Sequence, residues 1–492
     1  MIVVILVAMV YLPTLDLHPW GDDFEWLYAS TNLIGNPATL LAPINGFIRP
    51  VVKMSYVCNA EFLTPSMWIF PATTVAIHLL ALALLWRLLS ALGWSSWDAA
   101  ICTFLFGVSS AYSEVTLWAA GRPDSLLLVF MLVALTLVLE RGRFSLRHHV
   151  ALGLAVILAA GSKETWVVLP PLLLGFAWFG AGLSWRQCAV RTAIPFAGLV
   201  LYLMAVLGRS GSMGPPDYTR ISLHDFAGKL TYSGLRPLGL ESYSNGSLWV
   251  ALLVATILLA GALLFLWTGD SVGIGGILWF VLTVAPTLII PYSPSRYNYL
   301  PLIGFWMASC ATFRLIRDRM GVWLRGGYAV WSIPAVIAVV SYSAVQSVWI
   351  QREASDYRRL GEASRVLLAG ARKVVRTAPQ RLPLVVFNAG KRRIVTEVSM
   401  TAQGLPKLLF VRENALLQLV YPAPLLTFAA APHLGRYVAI DTATIGPSEP
   451  AFAVAFTDAG FGEPGPFDAL KLANLDPRTK NRVFALRWEN WH

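Results

Sequence analysis

The chain has 492 residues, of which 56% are hydrophobic and only 13% charged, where an average soluble domain is about a quarter charged. This balance excludes an ordinary soluble enzyme, and the apolar residues gather into runs near or above bilayer-crossing length, so the expected fold class is a polytopic α-helical membrane protein. The net charge of +11 does not point to nucleic acid, because much of it lies in short loops between apolar runs and in the C-terminal tail.

The runs predict about eleven transmembrane helices, over residues 1–14, 68–92, 97–117, 124–140, 147–161, 165–183, 190–208, 247–268, 273–291, 299–316 and 327–349. A cleaved signal peptide over Met1–Leu15 is disfavoured, since no basic region precedes the run and no small-residue cleavage site follows it. Many of the nineteen tryptophans sit near run ends, where amphipathic rings favour the headgroup zone. Short-loop basic residues set the orientation: Arg87, Arg141, Arg143, Arg147, Arg186, Arg191, Arg314, Arg317, Arg319 and Arg325 become cytoplasmic with the N-terminus inside. An odd number of spans then puts the C-terminus outside, together with loops 15–67 and 209–246. Cys102, Cys188 and Cys310 fall in apolar runs and Cys58 stands alone, so no disulfide framework is evident.

After about residue 350 the character changes. Gln351–Thr377 has an amphipathic helical pattern. Leu384–Phe387, Arg393–Val398, Arg436–Ile440, Ala451–Phe456 and Arg482–Trp488 read as short strands punctuated by Gly, Pro and Asp, with a helical stretch at Val411–Tyr421. The expected organisation is a transmembrane domain over 1–350 and a small extracytoplasmic α/β domain over 351–492.

The charges next to the bilayer need partners or a task. Asp22-Asp23 in the first outer loop reads structurally as a solvated pair or a helix cap. Trp20, Phe24 and Trp26 hold it near the interface, and Arg49 and Lys53 follow in the same loop. A carboxylate there can accept a proton from an attacking hydroxyl. Pro123 and Asp124 suit the first turn of a helix, an account that leaves Arg122 unexplained. Lys163 reads either as a snorkelling cation or as a phosphate ligand held in place by Glu164. Arg296 offers a bidentate fork suited to phosphate oxygens, with Tyr297 and Tyr299 as lipid- or sugar-flanking rings or interfacial anchors. His78, inside the second span, is read first as a hydrogen-bonded packing residue. Asp22, Asp23, Glu114 and Asp124 carry oxygen donors for a divalent metal ion, but no spacing argues for one. No His/Cys cluster has metal-ligand spacing, and no P-loop or dinucleotide fingerprint occurs. Asn245-Gly246-Ser247 is a glycosylation sequon.

In their order on alternate loops, Gly21-Asp22-Asp23, Arg49-Pro50, the span with His78, Gly121-Arg122-Pro123-Asp124-Ser125-Leu126, Ser162-Lys163-Glu164-Thr165 and Arg296-Tyr297-Asn298-Tyr299-Leu300-Pro301 resemble the GT-C superfamily of membrane glycosyltransferases. The likeness covers roughly residues 1–350 and is nearest to the protein O-mannosyltransferase group, in particular the transmembrane part of members that append tetratricopeptide repeats. This chain has no such repeats. The resemblance implies Asp22 as catalytic base with Asp23 supporting, although the two can exchange roles. It implies Lys163 and Arg296 as ligands of the lipid phosphate with Arg122 a further candidate, and Arg49, Asp124, Glu164, Tyr297, Tyr299 and His78 as substrate contacts. The implied partners are a polyprenyl- or dolichyl-phosphate-linked sugar, membrane lipids and an acceptor glycan, lipid or protein. The implied activity is inverting sugar transfer on the extracytoplasmic side, with a bacterial inner membrane as the preferred location and loop 209–246 as a cover for the acceptor entrance. A flippase for a lipid-linked sugar and a non-catalytic scaffold are the rival readings. Transport predicts charges near the midplane and often an internal repeat, neither of which the sequence shows.

Overall fold

The computed structural model describes residues 2–44, 47–60, 68–140, 142, 144–207, 223–238, 240, 248–288, 294–323 and 329–377, together with the tail strands given below. The predicted strand Arg393–Val398, the predicted helix Val411–Tyr421, the sequon and most of loop 209–246 lie outside the described residues. In chain order the helices are α1 (Ile2–Tyr11), α2 (Asp22–Gly35), α3 (Pro50–Ala60), α4 (Ile69–Ala91), α5 (Ser96–Gly107), α6 (Ser113–Leu117), α7 (Arg122–Leu139), α8 (Leu146–Ala160), α9 (Leu169–Gly175), α10 (Trp185–Leu207), α11 (Leu223–Leu235), α12 (Leu248–Thr268), α13 (Ser271–Leu288), α14 (Tyr299–Trp323) and α15 (Ala329–Thr377).

Every apolar run read from the sequence falls on a helix or a broken helix. Among the described residues, six stretches are long and apolar enough to cross a membrane: Ile69–Ala91, Ala119–Leu139, Trp185–Ala205, Leu248–Thr268, Ser271–Leu288 and Ser295–Arg319. A seventh arises if the bent pair Ser96–Gly107 and Ser110–Leu117 is one span, and Ile2–Thr14, Leu146–Ala160 and Glu164–Gly180 are apolar but shorter. The chain is thus an integral membrane protein by the length and composition of its helices. On α12, the least buried of the six, Trp249 and Trp267 are 80% and 79% exposed. Eighteen residues of helix separate them by about 27 Å, close to the thickness of a hydrocarbon core, so each ring sits where an interfacial tryptophan belongs.

The run 97–117 does not continue as one helix. α5 stops at Gly107, Ser109 Oγ accepts the Ala111 N–H at 3.3 Å, and the second half leaves at 51°. The carbonyls released at this break are answered by side chains: Tyr112 donates to Phe106 O, and Tyr11 OH and His78 Nε2 both reach Gly107 O at 3.2 Å. Because His78 Nε2 faces a carbonyl it carries the proton, so Nδ1 accepts from Tyr299 OH at 2.9 Å. His78 and Tyr299 are buried among Tyr11, Phe106 and Tyr112. Both hold the broken helix to α14, the hydrogen-bonded packing role that is read first for His78.

α13 and α14 meet backbone to backbone. A Cβ on Gly304 would lie 2.4 Å from Phe280 N and 2.5 Å from Gly276 O, the close small-residue packing that membrane helices use without a hydrophobic drive between them. Trp279 Nε1 adds a bond to Leu300 O at 2.8 Å. At the end of these helices away from Tyr299, the cations are taken up in structural tasks. Arg317 pairs with Asp98 at 2.9 Å and Arg314 with Asp270 at 2.6 Å, while Asp270 Oδ1 accepts two N–H groups of the first turn of α13. Arg191 donates to the carbonyls of Val138, Glu140 and Gly142, capping the C-terminus of α7.

By internal contacts the chain divides into one unit of Met1–Leu17 with Ala38–Ser355 and another of His18–Pro37 with Asp356–His492. In the second, Trp20 packs edge-on against Tyr357 with centroids 5.5 Å apart. Its strands are β1 (Leu384–Asn388), β2 (Leu425–Ala429), β3 (Tyr437–Asp441), β4 (Ala451–Thr457), β5 (Gly460–Phe461), β6 (Gly465–Phe467), β7 (Ala473–Asn474) and β8 (Val483–Arg487). One sheet runs β2-β1-β4-β5 with β6 also on β4, and the other runs β3-β8-β7. β1 is parallel to both neighbours, with Leu384 opposite Leu425 and Phe452. Four of the predicted strands fall on β1, β3, β4 and β8. β2 was not anticipated: its unalternating Leu-Leu-Thr-Phe-Ala lacks the period-two pattern.

The α13–α14 contact predicts that Gly304→Ala costs about 1–3 kcal/mol through overpacking. Gly261→Ala, whose new Cβ has its nearest neighbour at 3.6 Å, should be neutral or slightly stabilising. Thermal unfolding of the two purified variants in detergent checks the contrast.

Candidate active site: a cation cluster at one end of the helices

The sequence-predicted residues of the first unit meet where α3, α7 and α14 begin and α8 ends. Arg49 immediately precedes α3, which Pro50 opens, and Val51 N–H donates to Gly161 O at 3.1 Å, tying α3 to the loop after α8. Arg49 then grips Glu164 with two parallel bonds, Nε to Oε1 at 2.9 Å and Nη2 to Oε2 at 2.6 Å, the fork geometry that suits arginine.

Lys163 was expected to be held by Glu164, and here the structure differs. Lys163 Nζ bonds Asp124 Oδ1 at 2.5 Å instead. The reason is local: Lys163 has extended backbone, φ −160° and ψ 146°, and neighbouring side chains on extended backbone point to opposite sides. Glu164 therefore turns to Arg49 and Lys163 to the first turn of α7, where Pro123 and Asp124 stand. Lys163 is 6% and Asp124 3% exposed, so this is a buried pair. Burial pushes the Lys163 ammonium below the usual lysine range; Asp124 opposes that shift, and the charges of Arg49 and Arg296 add to it.

The fourth element is the short 3-10 turn Ser295–Asn298. The Tyr297 ring centroid lies 5.0 Å from Lys163 Nζ and 5.9 Å from the Arg296 guanidinium, which also faces Trp118 at 5.7 Å. Arg296 N–H donates to Glu114 Oε2 at 3.3 Å, and Glu114 N–H donates to Ser295 Oγ at 3.2 Å. Asn298 Nδ2 reaches Ala111 O at 3.4 Å. Gly121 sets the depth of this joint, since a Cβ there would stand 2.4 Å from Glu114 O. Glu114 entered the sequence reading only as an oxygen donor for a metal. Its place within an apolar run was the available signal, because an acid inside a span is functional by default.

Arg122 ties helices together. It is wholly buried, donates to Thr74 Oγ1 at 3.1 Å, Phe70 O at 2.9 Å and Ser55 O at 3.4 Å, and lies over Tyr56 at 4.5 Å. Its fork joins α3, α4 and α7. Lys53 likewise donates to Thr39 O and Ala42 O, at 2.6 and 2.5 Å.

Asp22 and Asp23 belong to the second unit. Asp23 is buried and its Oδ2 accepts the Trp20 N–H at 3.1 Å, a capping contact at the start of α2. Asp22 is partly exposed. No group of three or more His, Cys, Asp or Glu side chains that would hold a metal ion forms among the described residues.

Removing one partner of a buried pair leaves an uncompensated charge, worth about 3–5 kcal/mol. Asp124→Asn should therefore lower the thermal stability of the detergent-purified protein markedly. Glu164→Gln, at a pair open to solvent on both sides (14% and 26% side-chain exposure), should lower it less. Equal losses would contradict this ranking of the two pairs.

No protein-family model and no curated protein matches the chain. Among solved structures it is similar to ArnT from Cupriavidus metallidurans bound to undecaprenyl phosphate, at 16% identity over 98% of this chain and 97% of that one, with a TM-score of 0.49. It is similar also to an oligosaccharyltransferase of Archaeoglobus fulgidus in complex with zinc and sulfate, at 11% identity, 78% of this chain, 60% of that one and a TM-score of 0.49. AglB from Archaeoglobus fulgidus, in complex with an inhibitory peptide and a dolichol-phosphate, is similar at 10% identity over 78% of this chain and 62% of that one, with a TM-score of 0.45. The chain thus spans about three fifths of the archaeal proteins' length.

Proposed function

We propose that this chain is an inverting glycosyltransferase of the GT-C type, moving a sugar from a polyprenyl-phosphate carrier to an acceptor hydroxyl on the extracytoplasmic side of a bacterial inner membrane. The observation that carries this reading is the convergence of Lys163 and Arg296 on the Tyr297 ring at the ends of apolar helices, with Arg49 near enough for its charge to act on Lys163. Arg191, Arg314 and Arg317, at the opposite ends, serve carbonyls and carboxylates of the scaffold. Cations set among aromatic rings beside apolar helices suit a phosphodiester whose lipid tail lies in the bilayer.

In this reading the chain crosses the membrane eleven times, starting in the cytoplasm, and residues 351–492 form an extracytoplasmic α/β domain. Lys163 and Arg296 hold the lipid phosphate; Arg122 braces the helices behind them. Asp22 takes the proton from the acceptor hydroxyl, whose oxygen attacks the anomeric carbon from the face opposite the phosphate. The bond from that carbon to the phosphate oxygen breaks, its electron pair leaves with the polyprenyl phosphate, and the configuration inverts. The cations stabilise the charge that grows on the leaving oxygen. Asp22 rather than Asp23 is assigned the proton transfer because Asp23 caps its own helix while Asp22 is partly exposed.

The test is release of polyprenyl phosphate from a panel of polyprenyl-phosphate sugars by the purified protein. Asp22→Asn should lower turnover by about 10²–10⁴-fold, the usual worth of a general base, with carrier binding retained. If binding persists but no donor is consumed, and Asp22→Asn changes nothing, the transferase reading fails. Affinity for the carrier phosphate requires protonated Lys163, so it should be present at low pH and fall as pH rises through a value below the ordinary lysine 10.5. Lys163→Arg should move that loss to higher pH, and titration of carrier binding against pH checks it.

A further inference from the structure

We infer that Glu114 reads the sugar of the lipid-linked donor by accepting hydrogen bonds from its hydroxyl groups. The inference rests on the function proposed above. Asp124 and Glu164 each neutralise a cation. Glu114 forms no ion pair with a described residue. Its Oε2 takes one main-chain N–H, that of Arg296, and its Oε1 accepts from no described residue. The side chain is partly exposed, and its position is set from two sides, by Ser295 Oγ on its own N–H and by Gly121 against its carbonyl.

The ligand class follows from this chemistry. A carboxylate beside the Arg296 turn repels an anion, so it does not serve the phosphate. It belongs to no group of three or more His, Cys, Asp or Glu side chains that would hold a metal ion among the described residues. What remains is a neutral group rich in donors, held next to a phosphate ligand: a hydroxylated ring one bond away from that phosphate. Two further polar atoms on the joined segments point the same way. Ser113 Oγ and Asn298 Oδ1 are buried without a hydrogen-bond partner among the described residues, a desolvation cost that donors of a bound sugar or its ordered water offset. A site that hydrogen-bonds hydroxyls discriminates strongly against ligands lacking them.

The test uses the full-length protein in detergent and compares binding of undecaprenyl phosphate with binding of undecaprenyl-phosphate-linked mannose, glucose, galactose and N-acetylglucosamine. The wild type should bind at least one sugar-linked form more tightly than the bare carrier. Glu114→Gln should weaken that form by tenfold or more and leave the bare carrier within twofold. Ser113→Ala, which removes an orphaned hydroxyl, should keep or raise the melting temperature while weakening the same sugar-linked form. Equal loss for both ligands in Glu114→Gln, or no loss for either, overturns the inference, since Glu114 would then act on the Arg296 turn alone or not at all. If the bare carrier binds and no sugar-linked form binds better, the inference falls by itself. If the wild type binds neither, the phosphate-carrier reading falls and takes the inference with it.

Discussion

A charge at the edge of a bilayer cannot be left alone, and the arrangement of this protein follows from how each charge is answered. Lys163 is the controlling case. It sits in a three-residue gap between two apolar helices and is almost wholly buried, so its ammonium needs a carboxylate or must lose its proton. Asp124 supplies the carboxylate from the first turn of α7, where an acid is independently favoured by the helix N-terminus. One contact thus satisfies a cation, a helix end and the register between two helices.

The same economy governs the surroundings. With Asp124 taken by Lys163, Glu164 is free to receive the Arg49 fork, which brings the start of α3 onto the loop after α8. Arg122, one turn-start away, uses carbonyls and a hydroxyl rather than an acid, and so braces α3 and α4 without adding a net negative partner. The break at Gly107 has a comparable logic. A helix ended inside apolar surroundings exposes carbonyls, and Tyr11, His78 and Tyr112 answer them. Because His78 also receives Tyr299, the repair of the break positions the turn that carries Arg296 and Tyr297.

Much of this was legible in the residues. The apolar periodicity located the helices, since burial in lipid demands long uninterrupted runs. The four charged gaps stood out because bilayer edges are poor places for ions. What the sequence could not convey was pairing. Lys163 and Glu164 are adjacent and of opposite sign, and adjacency suggested partnership; the extended backbone at Lys163 turns them apart. Arg122 looked functional because no local cap needed it, yet its partners come from residues 55, 70 and 74, far away in sequence. Glu114 was hidden by the break: counted as part of a continuous span, it had no loop to belong to. In the tail, strands with regular punctuation were visible, and β2 was not, because its Leu-Leu-Thr-Phe-Ala run does not alternate.

Stability gives no reason for the cluster around Tyr297. A buried ion pair is often no better than apolar residues of equal volume, since desolvation of both ions cancels most of their attraction. The firm packing lies elsewhere, in the Gly276–Gly304 contact of α13 and α14 and in the aromatic group around His78. The fold would lose little if Lys163 and Asp124 were replaced together by well-packed hydrocarbon, and it would then have no buried ammonium beside the Tyr297 ring. At the opposite end the arginines do scaffold work that hydrocarbon cannot do, capping α7 and anchoring the first turn of α13. The two ends of the helices therefore spend charge differently, one on closing helix termini and the other on holding cations together against their mutual repulsion. Asp124 and Glu164 already offset Lys163 and Arg49, and in the function proposed above the carrier phosphate is the further anion that this gathering of positive charge would favour.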